Sequence, residues 1–290
     1  MKMFRSASFS KIAGFLVVAG LCQSAHAGSI LVSNAGVEVY KSWVVLTQGY
    51  SSGEQVGGSR ITREGETASI AYGLTGNLLI GMDAVVTRMI GTSTSPSIEP
   101  DLRVKWNFWS KLSPGHYHRL ALQASVAVPM GGPTNYFLDQ GYTGPGGSHL
   151  RFAKPTVVPT VDLIYSRATY RWVYGASAGY SDPTADRNGL RLGDVKKASV
   201  DVEYAFWRGE RSEVSFVLGS MVRQFGRAQL NGASFGNTGG SDAVVSCGIQ
   251  YAPMPTVTFE ASYSSDVWSA MRPGQPRMGN EILFGMRILR

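Results

Sequence analysis

From residue 37 onward, short stretches of strictly alternating side chains are joined by connections that are themselves alternately brief and long, and this layout constrains the fold more than any other feature. The clearest stretch is Lys196 to Phe206. There Ala198, Val200, Val202, Tyr204 and Phe206 share one face, and Ser199, Asp201, Glu203 and Ala205 share the other. A period of two belongs to a strand, because a helix would mix the two sets. The same pattern sets Leu102, Val104, Trp106 and Phe108 against Asp101, Arg103, Lys105 and Asn107. It also sets Leu120, Leu122, Ala124, Val126 and Val128 against Ala121, Gln123, Ser125 and Ala127.

Such segments, bounded by turn residues, predict twelve strands near residues 37 to 48, 61 to 74, 77 to 90, 101 to 109, 117 to 128, 157 to 167, 170 to 180, 194 to 207, 212 to 225, 242 to 252, 256 to 266 and 279 to 289. The brief connections are Thr75-Gly76-Asn77, Ser110 to His116, Ala168-Thr169, Arg208 to Arg211 and Pro253-Met254-Pro255. The long ones, rich in Gly, Ser, Pro and Asn, are 49 to 60, 91 to 100, 129 to 156, 181 to 193, 226 to 241 and 267 to 278. Tight turns on one side and extended loops on the other are the layout of an outer-membrane barrel. An even strand count puts both barrel ends on the periplasmic side, and closure leaves no unpaired edge in lipid. A soluble β-sandwich has no reason to sort its loops this way. The expected fold is therefore all-β, a transmembrane antiparallel up-and-down β-barrel of about twelve strands.

The ends agree with export. Lys2, Arg5 and Lys11 precede an apolar run from Ile12 to Leu21, and Ala25, His26 and Ala27 form a small-x-small cleavage site. The run is shorter than the roughly 20 residues that cross a bilayer as a helix, so residues 1–27 read as a cleaved signal peptide and 28–290 as the barrel domain. Leu21 before Cys22 is too large for a lipoprotein site. Three basic residues leave with the leader, so the formal charge of +7 shrinks to a mild excess that is no nucleic-acid footprint. Cleavage leaves Cys247 as the one cysteine, which excludes an intramolecular disulfide.

Three stretches carry a family resemblance: Ala71-Tyr72-Gly73-Leu74-Thr75-Gly76-Asn77 running into Leu78 to Ala84, Ala124 to Pro129 followed by Met130-Gly131, and Gly248 to Phe259 with Tyr251-Ala252-Pro253-Met254-Pro255. In these the chain resembles the MetA-pathway of phenol degradation family of outer-membrane proteins. The resemblance implies a signal peptide, a barrel and the movement of hydrophobic or aromatic compounds across the outer membrane. Met130 stands where that family shows a small polar residue, and Arg290 ends the chain where such barrels finish on an aromatic.

In lipid the apolar face turns outward and its polar alternates face the lumen. Parity then points Asp83, Asp101, Arg103, Lys105, Asp162, Arg171, Asp201, Glu203, Glu260 and Arg287 inward. Both signs occur, so the set either lines a path or forms a salt-bridged plug. Twelve strands lie between the eight that side chains fill and the sixteen that leave a water channel, so any bore is narrow. Trp43, Trp106, Trp109, Tyr170, Trp172, Phe206 and Trp207 fall near the brief turns, where an interfacial girdle sits. The loop from Met130 to Thr156 holds Tyr136, Phe137, Tyr142, His149 and Phe152 and is long enough to fold inward as a constriction.

Chemistry beyond transport finds little support. His116 and His118 fall on the periplasmic side and His149 on the outer side, which speaks against a shared metal site, and no cofactor is implied. Gly131-Gly132 and Gly146-Gly147 lack the Lys and Ser or Thr of a phosphate loop. An outer-membrane lipid hydrolase would need a His on the lipid face, and His118 is the candidate for it, with no Gly-x-Ser-x-Gly context for a nucleophile. The expected function is a non-enzymatic channel or transporter for passive passage of small, hydrophobic or aromatic solutes. A closed structural or adhesive barrel is the alternative. The expected partners are outer-membrane lipid, the barrel-insertion machinery and a small-molecule solute, and not nucleic acid. N-terminal sequencing of the exported protein should begin at Gly28, and a first residue upstream of it would refute the cleavage site.

Overall fold

The computed structural model describes residues 41–56, 59–90, 97–128, 130–131, 157–185, 189–234, 236–272 and 277–290. The leader and the aromatic residues Tyr136, Phe137, Tyr142, His149 and Phe152 lie outside these residues. Twelve long strands build the molecule: β1 Trp43–Val56, β2 Ser59–Gly73, β3 Leu78–Ile90, β4 Ser97–Ser113, β5 His116–Ala127, β6 Val158–Thr169, β7 Trp172–Ser181, β8 Val195–Arg208, β9 Glu213–Phe225, β10 Gly240–Met254, β11 Val257–Ser269 and β12 Arg277–Leu289. Each pairs antiparallel with its sequence neighbours, and β12 returns to pair with β1, which closes the barrel. At the seam the Trp43 amide donates to the Arg290 carbonyl at 2.6 Å and the Arg290 amide donates back at 2.8 Å.

The two faces have opposite chemistry. On β4, Asp101 and Lys105 are 3% and 6% exposed, whereas Leu102 and Trp106, the residues that follow them, are 60% and 52% exposed. A soluble sheet would bury the second pair and wet the first. The inversion is the mark of a wall with lipid outside and a polar filling inside. Small apolar clusters complete the filling, among them Ala121 with Ile164, Met221 with Val244, and Tyr50 with Leu283.

Two β-bulges break the alternation at matching places. Register shifts between Asn107 and Trp109 on β4, and between Ala205 and Trp207 on β8, leave Phe108 with Trp109 and Phe206 with Trp207 exposed side by side. A bulge adds one residue to one strand, so two successive rings face lipid where regular pleating would turn one inward. Trp43, Trp106, Tyr170 and Trp172 are exposed near the same end, and Trp172 lies 4.4 Å from the Tyr204 ring. The girdle stands beside the brief turns.

The strand ends correct two expectations. The first strand, expected over 37 to 48, runs from Trp43 to Val56, and the expected loop 49 to 60 is mostly ladder, with Tyr50 opposite Gly65 and Glu54 opposite Ile61. Backbone pairing continues past the point where apolar alternation stops, because above the bilayer the ladder needs no apolar face. For the same reason β4 begins at Ser97, within the expected loop 91 to 100. The long connections also contain order of their own. Leu190–Arg191, Gln229–Leu230 and Ala233–Ser234 form a small three-stranded sheet at the outer end, turned at Asn231 and Gly232, whose φ values are 50° and 83°. Positive φ at both central residues of a hairpin is what an Asn-Gly pair supplies.

Val200 lies on the outward face of β8 at 60% exposure. Val200→Arg should lower the folding stability of the barrel in bilayers by about 2 to 4 kcal/mol, while Val200→Leu should leave it nearly unchanged. Urea titration in lipid vesicles checks both, and equal stability of the two variants would contradict a lipid-facing Val200.

Candidate functional site: the charged lumen

Inward parity brings charged side chains onto the lumen wall at several heights, and the sheet register decides which of them meet. Asp83 stands opposite Asp101 across β3 and β4, and Arg103 reaches Asp83 with Nη1 to Oδ2 at 2.7 Å. The Ser69 hydroxyl donates to the other Asp83 oxygen at 2.9 Å. One carboxylate thus gathers a guanidinium and a hydroxyl, which offsets the cost of removing it from water.

A second pair spans three strands. Asp162 on β6 and Lys197 on β8 are both opposite Gly179 on β7, and Lys197 Nζ lies 2.9 Å from Asp162 Oδ1. Any side chain at position 179 would collide with Asp162 and with the Lys197 stem, so the glycine is the gap across which the pair closes. Gly175 stands likewise opposite Asp201, whose carboxylate fills the space a Cβ would take. Glycine on this wall acts as room for a neighbour's charge.

The third pair is the most deeply buried. Arg223 on β9 and Asp242 on β10 are direct cross-strand partners, joined by Nε to Oδ1 at 2.9 Å and Nη2 to Oδ2 at 2.5 Å. Their side chains are 3% and 0% exposed. Ala228, Thr238 and Met271 from the outer connections are buried near the same strand ends.

Toward the periplasmic end lies a cavity of about 500 Å³. Asp201, Glu203, Glu213, Arg208 and Arg287 line it together with Gln250 and Thr258. Arg208 Nε pairs with Glu213 Oε2 at 2.5 Å, and the Ser215 hydroxyl donates to the other Glu213 oxygen at 3.1 Å. The vestibule therefore offers donors and acceptors of both signs.

Of the residues that parity pointed inward, Asp83, Asp101, Lys105, Asp162 and Glu260 are buried on the lumen side, Arg103 joins Asp83, and Asp201, Glu203 and Arg287 line the vestibule. Arg171 is different. It sits exposed on the turn between β6 and β7, with its guanidinium 3.5 Å from the Tyr204 hydroxyl, because β7 begins at Trp172, two residues later than expected. Lys197, Arg223, Asp242 and Glu281 belong to the lumen but were not singled out from sequence. Lys197 shares the parity of Asp201 and Glu281 that of Arg287, so the signal was there; Arg223 and Asp242 lie near strand ends, where parity is hardest to extend.

His118 lies on the outward face of β5. Its Nδ1 is 2.8 Å from the Tyr165 hydroxyl, and among the described residues no serine hydroxyl is hydrogen-bonded to the ring. Among the described residues no group of three or more His, Cys, Asp or Glu is placed to hold a metal ion.

Several solved structures are similar to the chain. An outer membrane channel from Pseudomonas putida F1 superposes with a TM-score of 0.60 at 10% identity, covering 89% of this chain and 98% of that one. The NanC porin gives 0.48 at 13% identity, covering 84% and 98%. The β-domain of the Bordetella autotransporter BrkA gives 0.49 at 11% identity, covering 85% and 99%. No protein-family profile and no curated protein matches the sequence. At 10% identity the likeness to the Pseudomonas channel speaks to architecture alone, and with the strand pairing it makes the chain a closed twelve-stranded barrel of the outer-membrane kind.

The buried pair on β9 and β10 is testable by itself. Arg223→Met leaves Asp242 buried without its guanidinium and should cost about 3 to 5 kcal/mol of unfolding free energy, whereas Arg223→Met with Asp242→Leu should restore much of the loss. Unfolding curves of the three proteins decide it; a double variant no more stable than the single one would mean that the pair is not the reason.

Proposed function

We propose that the protein is a narrow outer-membrane channel through which small solutes diffuse between a periplasmic vestibule and the outer side, past a lumen restricted by ion pairs. The observation that carries this reading is the chemistry of the inward wall. A barrel that had only to stand in the membrane would be served by an apolar filling, since replacing buried ion pairs with well-packed apolar residues is often neutral or stabilising. This wall instead holds Asp83 with Arg103, Asp162 with Lys197, and Arg223 with Asp242 at a succession of positions. A vestibule of about 500 Å³ is within the range that holds a small molecule.

The lining favours solutes with charged or hydrogen-bonding groups over purely hydrophobic ones. An aromatic solute carrying a hydroxyl or carboxylate would suit both this lining and the phenol-pathway resemblance. Export through a cleaved leader and assembly by the barrel-insertion machinery fit the same reading. A sealed barrel with a structural or adhesive role is the second reading, and the burial of Arg223 and Asp242 is what favours it.

Planar bilayers separate the two. The wild type should show discrete current steps above the lipid background, and Asp162→Ser with Lys197→Ser, which removes the pair bridging Gly179, should enlarge the unit step. Silence from both proteins would leave the sealed barrel as the account.

A further inference from the structure

Lys111 on β4, His118 on β5 and Arg167 on β6 form one row across three strands, Lys111 directly opposite His118 and His118 directly opposite Arg167. All three lie on the outward face, and Lys111 and Arg167 are exposed. Bases set side by side across a sheet repel one another. The lumen pairs described above each bring a base to a carboxylate, yet among the described residues neither Lys111 nor Arg167 forms an ion pair. The row sets two cations, Lys111 and Arg167, on either side of His118, with no carboxylate paired to either among the described residues.

Its height on the wall says what can balance it. Two residues nearer the membrane centre, Trp109, Leu120 and Tyr165 form the parallel row on the same face, and Trp109 belongs to the aromatic girdle. The basic row therefore stands at headgroup level, just outside the hydrocarbon. Strands are about 4.8 Å apart, so Lys111 and Arg167 are rooted roughly 10 Å from each other with His118 between them, a span that two long side chains can close on one phosphate. His118 Nδ1 lies 2.8 Å from the Tyr165 hydroxyl, and in the tautomer that accepts this hydrogen bond the Nε2–H supplies a third donor.

We propose that Lys111, His118 and Arg167 bind the phosphodiester of an anionic phospholipid in the periplasmic leaflet, with Trp109 and Tyr165 against its glycerol and upper acyl chains. The anion removes the repulsion within the row, and the aromatic shelf above it selects a lipid over a free anion. The proposal concerns the outer wall and stands whether or not the lumen conducts.

Native mass spectrometry of the detergent-purified barrel tests it, after equilibration with phosphatidylglycerol or phosphatidylcholine. Phosphatidylglycerol should survive activation that strips phosphatidylcholine from the wild type. Lys111→Gln with Arg167→Gln should lose about tenfold or more of the bound phosphatidylglycerol, and each single variant about fivefold, so the singles carry the test if the double does not fold. Lys196→Gln, at the opposite rim, should retain it. The proposal is overturned if the wild type holds the two lipids alike, if removing either base leaves phosphatidylglycerol bound as before, if Lys196→Gln loses as much, or if inorganic phosphate alone displaces the lipid.

Discussion

A strand in hydrocarbon cannot leave a backbone amide unpaired, and here that constraint is met at the seam where β1 meets β12. Twelve antiparallel strands form a sheet with two edges until the Trp43 and Arg290 backbones exchange hydrogen bonds and Val44 through Gln55 takes its register against the last strand. Closure then dictates much of the rest. An even number of strands returns both strand termini to one end, the brief turns gather there, and the long connections are left to the other. With no edge to protect, every second side chain can be apolar and outward without inviting another sheet.

The inward face inherits the opposite problem. Each polar side chain turned from lipid must find a partner in a space too narrow for a wide column of water. Register solves it by placing opposite charges on the same or adjacent rungs, as with Arg223 and Asp242, and by setting a glycine between them where they come from alternate strands, as with Asp162, Gly179 and Lys197. The abundance of glycine therefore has a second meaning beyond turns. On the inward face glycines such as Gly175 and Gly179 are volume reserved for a neighbour's carboxylate.

What the sequence made legible follows from what is local. Parity is local, so the inward positions of Asp83, Asp101, Arg103 and Lys105 could be read from the alternation of β3 and β4, and a brief connection within Ser110 to His116 from its residues, which pairing of the flanking strands then narrows to Pro114-Gly115. Pairing is not local. The outer half of β1, Gly49 to Val56, has no apolar alternation of its own and is a strand because β2 and β12 run beside it. The same reason hid the partners: Lys197 could be seen to face inward, but that it would meet Asp162 over a glycine depends on the register of two ladders. The bulges are a third kind. An Asn-Phe-Trp at 107 to 109 and an Ala-Phe-Trp at 205 to 207 break the period by one residue, and a strict alternation rule would have turned one ring of each into the lumen. Asn231-Gly232 shows the converse, a local turn signal inside a connection that composition marks only as long and rich in Gly, Ser, Pro and Asn.

The two walls treat charge differently, and the difference follows from what each can recruit. Inside, a base has only the protein to neutralise it, so Arg103, Lys197 and Arg223 are each matched with an aspartate. Outside, beyond the aromatic belt, the surroundings themselves are charged, and among the described residues Lys111 and Arg167 have no carboxylate paired with them. A base that the fold needed only for solubility could be followed by an acid on the neighbouring strand at no cost to the apolar band. Its absence along three adjacent strands, directly below Trp109 and Tyr165, is better explained by an anion that the membrane supplies than by the sheet alone.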